Sequence, residues 1–331
     1  MLKRKIVFAV GLWTVAIWSF HACKDDNPVG TDDISFQSIN GFVISEEGTK
    51  LLATDKGLYS LDETDGKFKF VSSALQHASL NDLAWARMTP VKELWLAADI
   101  GAYNFTSELL VNNINSGLLS NEVNHLDFDY FSNTCFVTPF GISILNNGNW
   151  KEYSGLDNLF LDYEITDIAS ASNGFTYVTT YGGGIERFKI ETDAISGATV
   201  FTNDWTLLET DNIRAVFIDD TTQVYGTDKG VAMHFSEFTK WDWLVYTTRN
   251  GLIGDTVLSV VKDHSDNWWF GTTRGISRLC DTVWTNYSFS THNIISDSIK
   301  FLAVDIDGSV WFASDKGLSQ FIDEQWINYS K

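Results

Sequence analysis

The sequence is poor in proline, with three in 331 residues, and has only three cysteines and three methionines. With so little proline, the turns fall to other residues, and 24 glycines are available for them. Three cysteines cannot staple a disulfide-dense scaffold, so the fold must rest on packed apolar surface. Cations are scarce as well: 23 Lys and Arg face 43 Asp and Glu, a net charge of −20. So acidic a surface repels phosphate backbones, which excludes nucleic acid as a partner. Beyond the N-terminus no apolar run approaches the ~18 residues of a membrane span. Walker loops, nucleophile elbows and HExxH motifs are absent. The glycines of "YGGGIERF" (181–188) follow a strand pattern with no helix pattern behind it, so they do not cradle phosphate. What the chain does have is aromatic residues, 14% with 13 Trp, in a composition 44% hydrophobic. That is enough for a packed core and suits many short strands.

The chain opens "MLKRKIVFAVGLWTVAIWSFHAC". Lys3, Arg4 and Lys5 precede an apolar stretch from Ile6 to Phe20, the layout of an export signal. Cys23 directly after the small Ala22 resembles a bacterial lipobox, with Phe20 and His21 in place of the usual leucine and small residue. The resemblance implies a lipoprotein signal peptide over 1–22, lipidation of Cys23, and an acidic flexible tether over 23–33. The expected protein is exported and lipid-anchored at the outer membrane, facing the periplasm or the cell surface, and touches membrane only through its lipid. Removal of 1–22 takes away three basic residues and no acidic ones, leaving a net charge of about −23.

Two late stretches, "WWFGTTRGISRLCDTVWTNYS" (268–288) and "VWFASDKGLSQFIDEQWINYS" (310–330), align without a gap. Their shared glycine recurs as Gly57, Gly101, Gly141, Gly184, Gly230, Gly275 and Gly317, at spacings of 40 to 46 residues. Seven copies at that period denote a repeat architecture rather than a two-domain enzyme. In the sixth copy "VLSVVKD", "WWFGT", "ISRLC" and "VWTNYS" read as four strands joined by Asp-, Asn- and Gly-rich turns. Four antiparallel strands per unit make one propeller blade. The chain is therefore expected to be an all-β, seven-bladed β-propeller over 34–331. Its blades lie near 34–74, 75–116, 117–157, 158–210, 211–250, 251–292 and 293–331. Copy four is expanded by "KIETDAISGATVFTND" (189–204), placed between its third and fourth strands, and copy five by "HFSEFTKWDWLVY" (234–246). Ring closure is expected from packing of blade one on blade seven, with "ISFQS" (34–38) as an extra edge strand. Cys135 and Cys280 fall on nearly opposite blades, so both thiols are expected to be free.

The sixth copy also resembles the two-component-regulator-type propeller repeat. Val257, Asp263, Trp269, Gly271, Thr272, Gly275 and Leu279 stand on its characteristic positions. The seventh keeps Asp305, Gly308, Trp311 and Gly317 but has Ala313 and Ser314 for the Gly-Thr pair, and copies one to five are looser. In that family the propeller often forms the exported sensing part of a membrane-spanning histidine kinase. No kinase sequence follows the seventh copy, so the expectation is a free-standing lipoprotein relative.

Chemistry is harder to find. Asp129, Asp263 and Asp305, twelve residues before their glycines, and Asp219 near the same place, are read as turn caps rather than catalytic carboxylates. Trp95, Trp269 and Trp311 on strand two are read as core. His77, His125, His234, His264 and His292 show no ligand spacing, so neither metal nor cofactor is expected; His125, opening an inner strand, could approach the channel. Two sets of residues rise above this background. The inner-strand position about 17 residues before each glycine reads Asn40, Asn124, Thr166, Arg214, Leu258 and Lys300, the second copy being too irregular to place. These suit a channel mouth, as water lining or as ligand contacts, and Arg214 and Lys300 could draw in an anionic group. Trp241, Asp242 and Trp243 form the second set: two rings on one side of a strand beside a carboxylate suit stacking on sugars, while the plainer role is covering a blade edge. The expected function is a monomeric binding module for a glycan, a peptide or an envelope protein. The alternatives are a lyase or hydrolase with a channel-mouth site, and a structural component of an envelope complex.

Overall fold

The computed structural model describes residues 36–331 except 72–74, 76–77, 87–91, 130, 155–163, 192–194, 205–207, 220 and 236–242. Seven four-stranded antiparallel sheets follow one another at 39–70, 80–111, 125–154, 164–201, 213–246, 257–287 and 301–330. In each, the order in space is the order in sequence. Their first strands contact one another in a ring that closes from the last to the first. These are Ile39–Ile44, Leu80–Trp85, His125–Phe128, Glu164–Ser170, Ile213–Ile218, Val257–Lys262 and Phe301–Val304. The chain is a seven-bladed β-propeller. Among the described residues the one helix is the single turn Phe289–His292.

Burial follows position in the blade. Second strands such as Lys50–Thr54, Thr134–Thr138, Trp268–Thr272 and Val310–Ser314 are buried throughout, whereas the rim strand Gln325–Ser330 is largely open. A strand between two flanking sheets must be apolar on both faces, and that is how these segments read. The described residues form seven apolar clusters, one at each seam between blades. Trp95, Trp269 and Trp311 lie buried in three of them. A fully buried Leu or Phe contributes about 1.5–3 kcal/mol, so a seam of this size outweighs any single polar contact across it.

The repeated glycine opens strand three with φ between +80° and +132°. In six of the seven copies a Cβ would stand 2.1–2.3 Å from a carbonyl oxygen of strand four, which leaves no room for a side chain. A Thr or Ser hydroxyl three or four residues earlier braces the same turn, as in Thr272 Oγ1 to the Gly275 carbonyl at 2.9 Å and Ser314 Oγ to that of Gly317 at 3.2 Å. Three of the four aspartates cap turns as expected; in blade seven Asp307 caps the turn by accepting the Ser309 N–H, while Asp305 pairs with Lys50. Asp129 accepts the N–H of Phe131 and Asn133, Asp263 those of Ser265 and Asn267, and Asp219 those of Thr221 and Thr222.

Blades one and seven share no strand. Their seam is closed by Ile39, Phe42 and Leu52 against Trp311, Ala313 and Leu318. Buried Lys50 reaches across it to Asp305 at 2.7 Å, pairs with Glu63 in its own blade, and lies 4.5 Å above the Trp311 ring. Burial alone would lower its pKa, but the hydrogen bonds to Asp305 and Glu63 win and hold it above the ordinary lysine value. The expected edge strand at 34–38 is not formed at 36–38; residues 34 and 35 lie outside the described residues. The reason is that Asp55 accepts the N–H of Gln37 (2.7 Å) and Ser38 (3.0 Å), removing the donors a ladder needs, while Phe36 packs edge-on against Tyr59 and Phe68. The expansion of copy four is likewise no loop insertion: Ile195–Phe201 is itself the fourth strand. Cys135 is buried, Cys280 is exposed, and both are free.

Two outcomes are expected in guanidinium unfolding. Gly317→Ala should cost about 1–3 kcal/mol from strain alone, with the carbonyl clash added. Gly308→Ala should cost less, because nothing lies within 4 Å of its Cβ position. Lys50→Met, which strands Asp305 in the seam, should cost about 3–5 kcal/mol, and Lys50→Met/Asp305→Leu should recover most of it.

Candidate functional site at the channel mouth

The polar inner-strand position has a structural identity. In five blades the register between the first two strands slips at one residue: Asn40, Asn81, Thr166, Arg214 or Leu258. Each is the extra residue of a β-bulge. Asn81 fills the place in blade two that periodicity could not assign. Asn124 and Lys300 directly precede the inner strands of blades three and seven, with their N–H groups bonded to the Val137 and Ala313 carbonyls.

Three of these side chains bond to the next blade. Asn40 donates to the Leu80 carbonyl (2.9 Å), Asn81 to that of Val123 (2.9 Å) and Thr166 to that of Ile213 (2.8 Å). The two cations are matched inside the protein. Arg214 pairs with Asp228, to which Asn212 also donates, and its guanidinium lies 5.0 Å from the Tyr181 ring. Burial pushes the Asp228 carboxyl up, but Arg214 and Asn212 outweigh it and hold the group below its usual value. Lys300 donates to Asp315 at 2.7 Å.

The residue after this position, bulged or not, brings different chemistry. Around the ring it reads Gly41, Asp82, His125, Asp167, Ala215, Ser259 and Phe301, so three consecutive blades present carboxylate, imidazole and carboxylate. His125 Nδ1 lies 3.6 Å from Asp82 Oδ2, and the imidazole side chain is 32% exposed. Asp82 accepts the N–H of Leu83 (2.8 Å) and, across the seam, of Leu126 (3.2 Å). Asp167 repeats the arrangement with Ile168 (2.9 Å) and Val216 (2.9 Å). Burial raises the Asp167 carboxyl to about 7 against the opposing pull of His125 and the two N–H groups, and nearby Asp82 adds to the rise. For His125, burial favours the neutral ring, but Asp82, then Asp167 and Glu164, outweigh it and raise its pKa. Exposed Glu164 opens the blade-four strand opposite Tyr181. The cluster can share a proton near neutral pH and accept hydrogen bonds from hydroxyls or cations. No group of three ligands able to hold a metal ion occurs among the described residues.

His125 was legible at the start of its strand, but Asp82 and Asp167 were missed. Their signal was adjacency: "ND" at 81–82, "NH" at 124–125 and "TD" at 166–167. Of the loop aromatics, Trp241 and Asp242 lie outside the described residues, as does Cys23. Trp243 is 5% exposed and packs on Tyr225 and His234, the edge-covering role rather than an open stacking platform. A groove of about 210 Å³ between blades six and seven lies on the opposite face. Three of its four acids have partners within the fold: Asp263 accepts the Trp269 indole N–H at 2.7 Å, Asp307 the Ser309 N–H at 2.8 Å, and Glu324 accepts from Arg278 at 3.0 Å.

No protein-family model matches the sequence, and no curated protein does. Solved structures do resemble it. Selenomethionine-substituted virginiamycin B lyase from Staphylococcus aureus aligns over 84% of this chain and 92% of its own, at 12% identity and a TM-score of 0.63. PorZ, a surface component of the type-IX secretion system of Porphyromonas gingivalis, aligns over 86% of this chain and 43% of its own, at 14% identity and a TM-score of 0.57. The extracellular domain of a protein described as a hybrid two component system of B. thetaiotaomicron aligns over 88% and 46%, at 16% identity and a TM-score of 0.48. The likeness is one of fold. This chain spans less than half the length of the last two.

The cluster carries a pH signature. In the unfolded chain Asp167 ionises near pH ~4, in the folded one near 7. Its stabilising contribution is therefore complete below pH ~4 and lost as pH rises to about 7. The raised His125 pKa acts in the same sense, adding stability below its ordinary pKa of ~6.5 that is lost as pH rises through the folded value. Asp167→Asn/His125→Gln should flatten the fall of Tm between about pH 4 and 7; an unchanged slope would show that the two groups do not titrate as described.

Proposed function

We propose that the protein is an exported, lipid-anchored member of the two-component-regulator-type propellers, held at the outer membrane as a monomeric binding module. Its ligand is a glycan, a peptide or an envelope protein, recognised at the channel-mouth face. The observation that carries this reading is the half-buried cluster of Asp82, His125 and Asp167 on the inner strands of blades two to four, with exposed Glu164 beside it. A surface component among the structural neighbours supports export, and no helix among the described residues is long and apolar enough to cross a membrane. A carboxylate–imidazole set also favours a second reading, acid–base chemistry of the lyase or hydrolase type at the same place.

Glycan and peptide arrays probed with the full-length protein should give hits that weaken about tenfold in Glu164→Gln or Asp167→Asn. Hits indifferent to both substitutions would remove the channel mouth as the site. The enzyme reading requires turnover of an array hit that disappears in His125→Gln.

A further inference from the structure

The channel-mouth face is divided. At the corner between strands two and three, the residue before the repeated glycine is Lys56, Lys229, Arg274 or Lys316 in blades one, five, six and seven. In blades two and three it is Ile100 and Phe140, 42% and 65% exposed, and blade four presents Tyr181 at this corner, 40% exposed. Ile114, just beyond the last strand of blade two on the same face, is 88% exposed; Phe289, at the matching place in blade six, is 55% exposed and is the exception on the basic side. A single open apolar residue is ordinary, but Ile100 and Phe140 share one position in adjacent blades, and Tyr181 ends the second strand of the next, which is more than scatter.

Charge divides along the same line. Residues 80–201, blades two to four, hold fifteen Asp and Glu against five Lys and Arg. Asp82, Asp167 and exposed Glu164 stand at the inner rim of this sector. Within this rim the His125 imidazole lies against Asp82, and the next inner-rim cation, Arg214, is paired with Asp228.

We propose that the sector of the channel-mouth face formed by blades two to four docks a basic peptide segment bearing apolar side chains, with one lysine or arginine of that segment at the Glu164–Asp167–Asp82 rim. The proposal rests on the binding-module reading and names its partner class. Acidic residues draw the segment in, and Ile100, Phe140 and Tyr181 take its apolar groups. The four basic corners on the other blades repel the same segment, which fixes its place on the disc. An acidic ligand would choose the opposite sector, and an uncharged glycan would prefer neither.

The test uses a fluorescein-labelled Lys-Phe-Lys-Leu-Lys-Phe amide, a counterpart with glutamine for every lysine, and one with serine for every apolar residue. Fluorescence anisotropy with the full-length protein should show the parent peptide binding about tenfold tighter than either counterpart. Phe140→Ser and Glu164→Gln, both at exposed side chains and checked for unchanged Tm, should each weaken it about fivefold or more. Glu47→Gln makes the same charge change at an exposed residue on the opposite face and should leave affinity unchanged. If Glu47→Gln weakens binding as much as Glu164→Gln, attraction is by net charge alone and the proposal fails. If no peptide binds but an array hit weakens in Phe140→Ser, the module stands and the basic-peptide assignment falls. If the arrays also give nothing, both fall.

Discussion

The inner edge of every blade is a sheet edge with no fifth strand beside it, and the ring depends on neighbouring blades satisfying that edge for one another. The bulge makes this possible. In a regular strand, successive side chains point to opposite faces, so two adjacent residues cannot both reach the same neighbour. The extra residue breaks the alternation. Asn81 then donates to the Val123 carbonyl while Asp82 accepts the Leu126 N–H, and Thr166 and Asp167 do the same to Ile213 and Val216. Each pair is a two-point clamp from one blade to the next. Blade one has half of it, because Asn40 is followed by Gly41, whose Cβ would meet Leu83 at 2.7 Å.

The last seam is joined differently. Where many propellers share a strand between their ends, here an apolar cluster carries the contact and Lys50 specifies it. A buried lysine between two carboxylates and a tryptophan face contributes little net stability over an apolar substitute, since desolvation offsets most of the attraction. What it adds is discrimination: Lys50 finds Asp305 in only one alignment of blade one on blade seven. The apolar contacts supply the free energy, and the ion pair supplies the register.

How much of this was legible in the sequence depends on how many constraints meet at a residue. The glycine at 275 or 317 is fixed at once by a positive φ, a carbonyl within 2.3 Å and a braced turn, so it survives in every copy and betrays the period. The polar inner position was visible in Asn40, Thr166 and Arg214, but periodicity assumes an unbroken alternation and cannot show a bulge. The clamp partners Asp82 and Asp167 therefore stayed hidden one residue away. Trp243 failed for the converse reason: alternation says which residues share a face, not whether that face is turned inward. "ISFQS" alternates like a strand, yet a single carboxylate elsewhere in the chain, Asp55, takes its donors. Local pattern identifies the fold well because the fold is a repeat; it identifies side-chain partners poorly because those are set across seams.

The clamps also explain why a site can exist at the mouth without weakening the ring. A carboxylate has about four acceptor positions. Asp82 and Asp167 each use one oxygen for their own strand and one for the next blade, which leaves capacity on both toward the channel. Between them blade three has no bulge, and its His125 occupies the place where a third clamping aspartate would stand. An imidazole there cannot be the permanent acceptor that a carboxylate is; it is a titratable group flanked by two acids. Gly41, Ala215, Ser259 and Phe301 at this place in the other blades clamp nothing either, so what sets blade three apart is not a lost clamp but an imidazole between two acids, the geometry on which the proposed channel-mouth site rests.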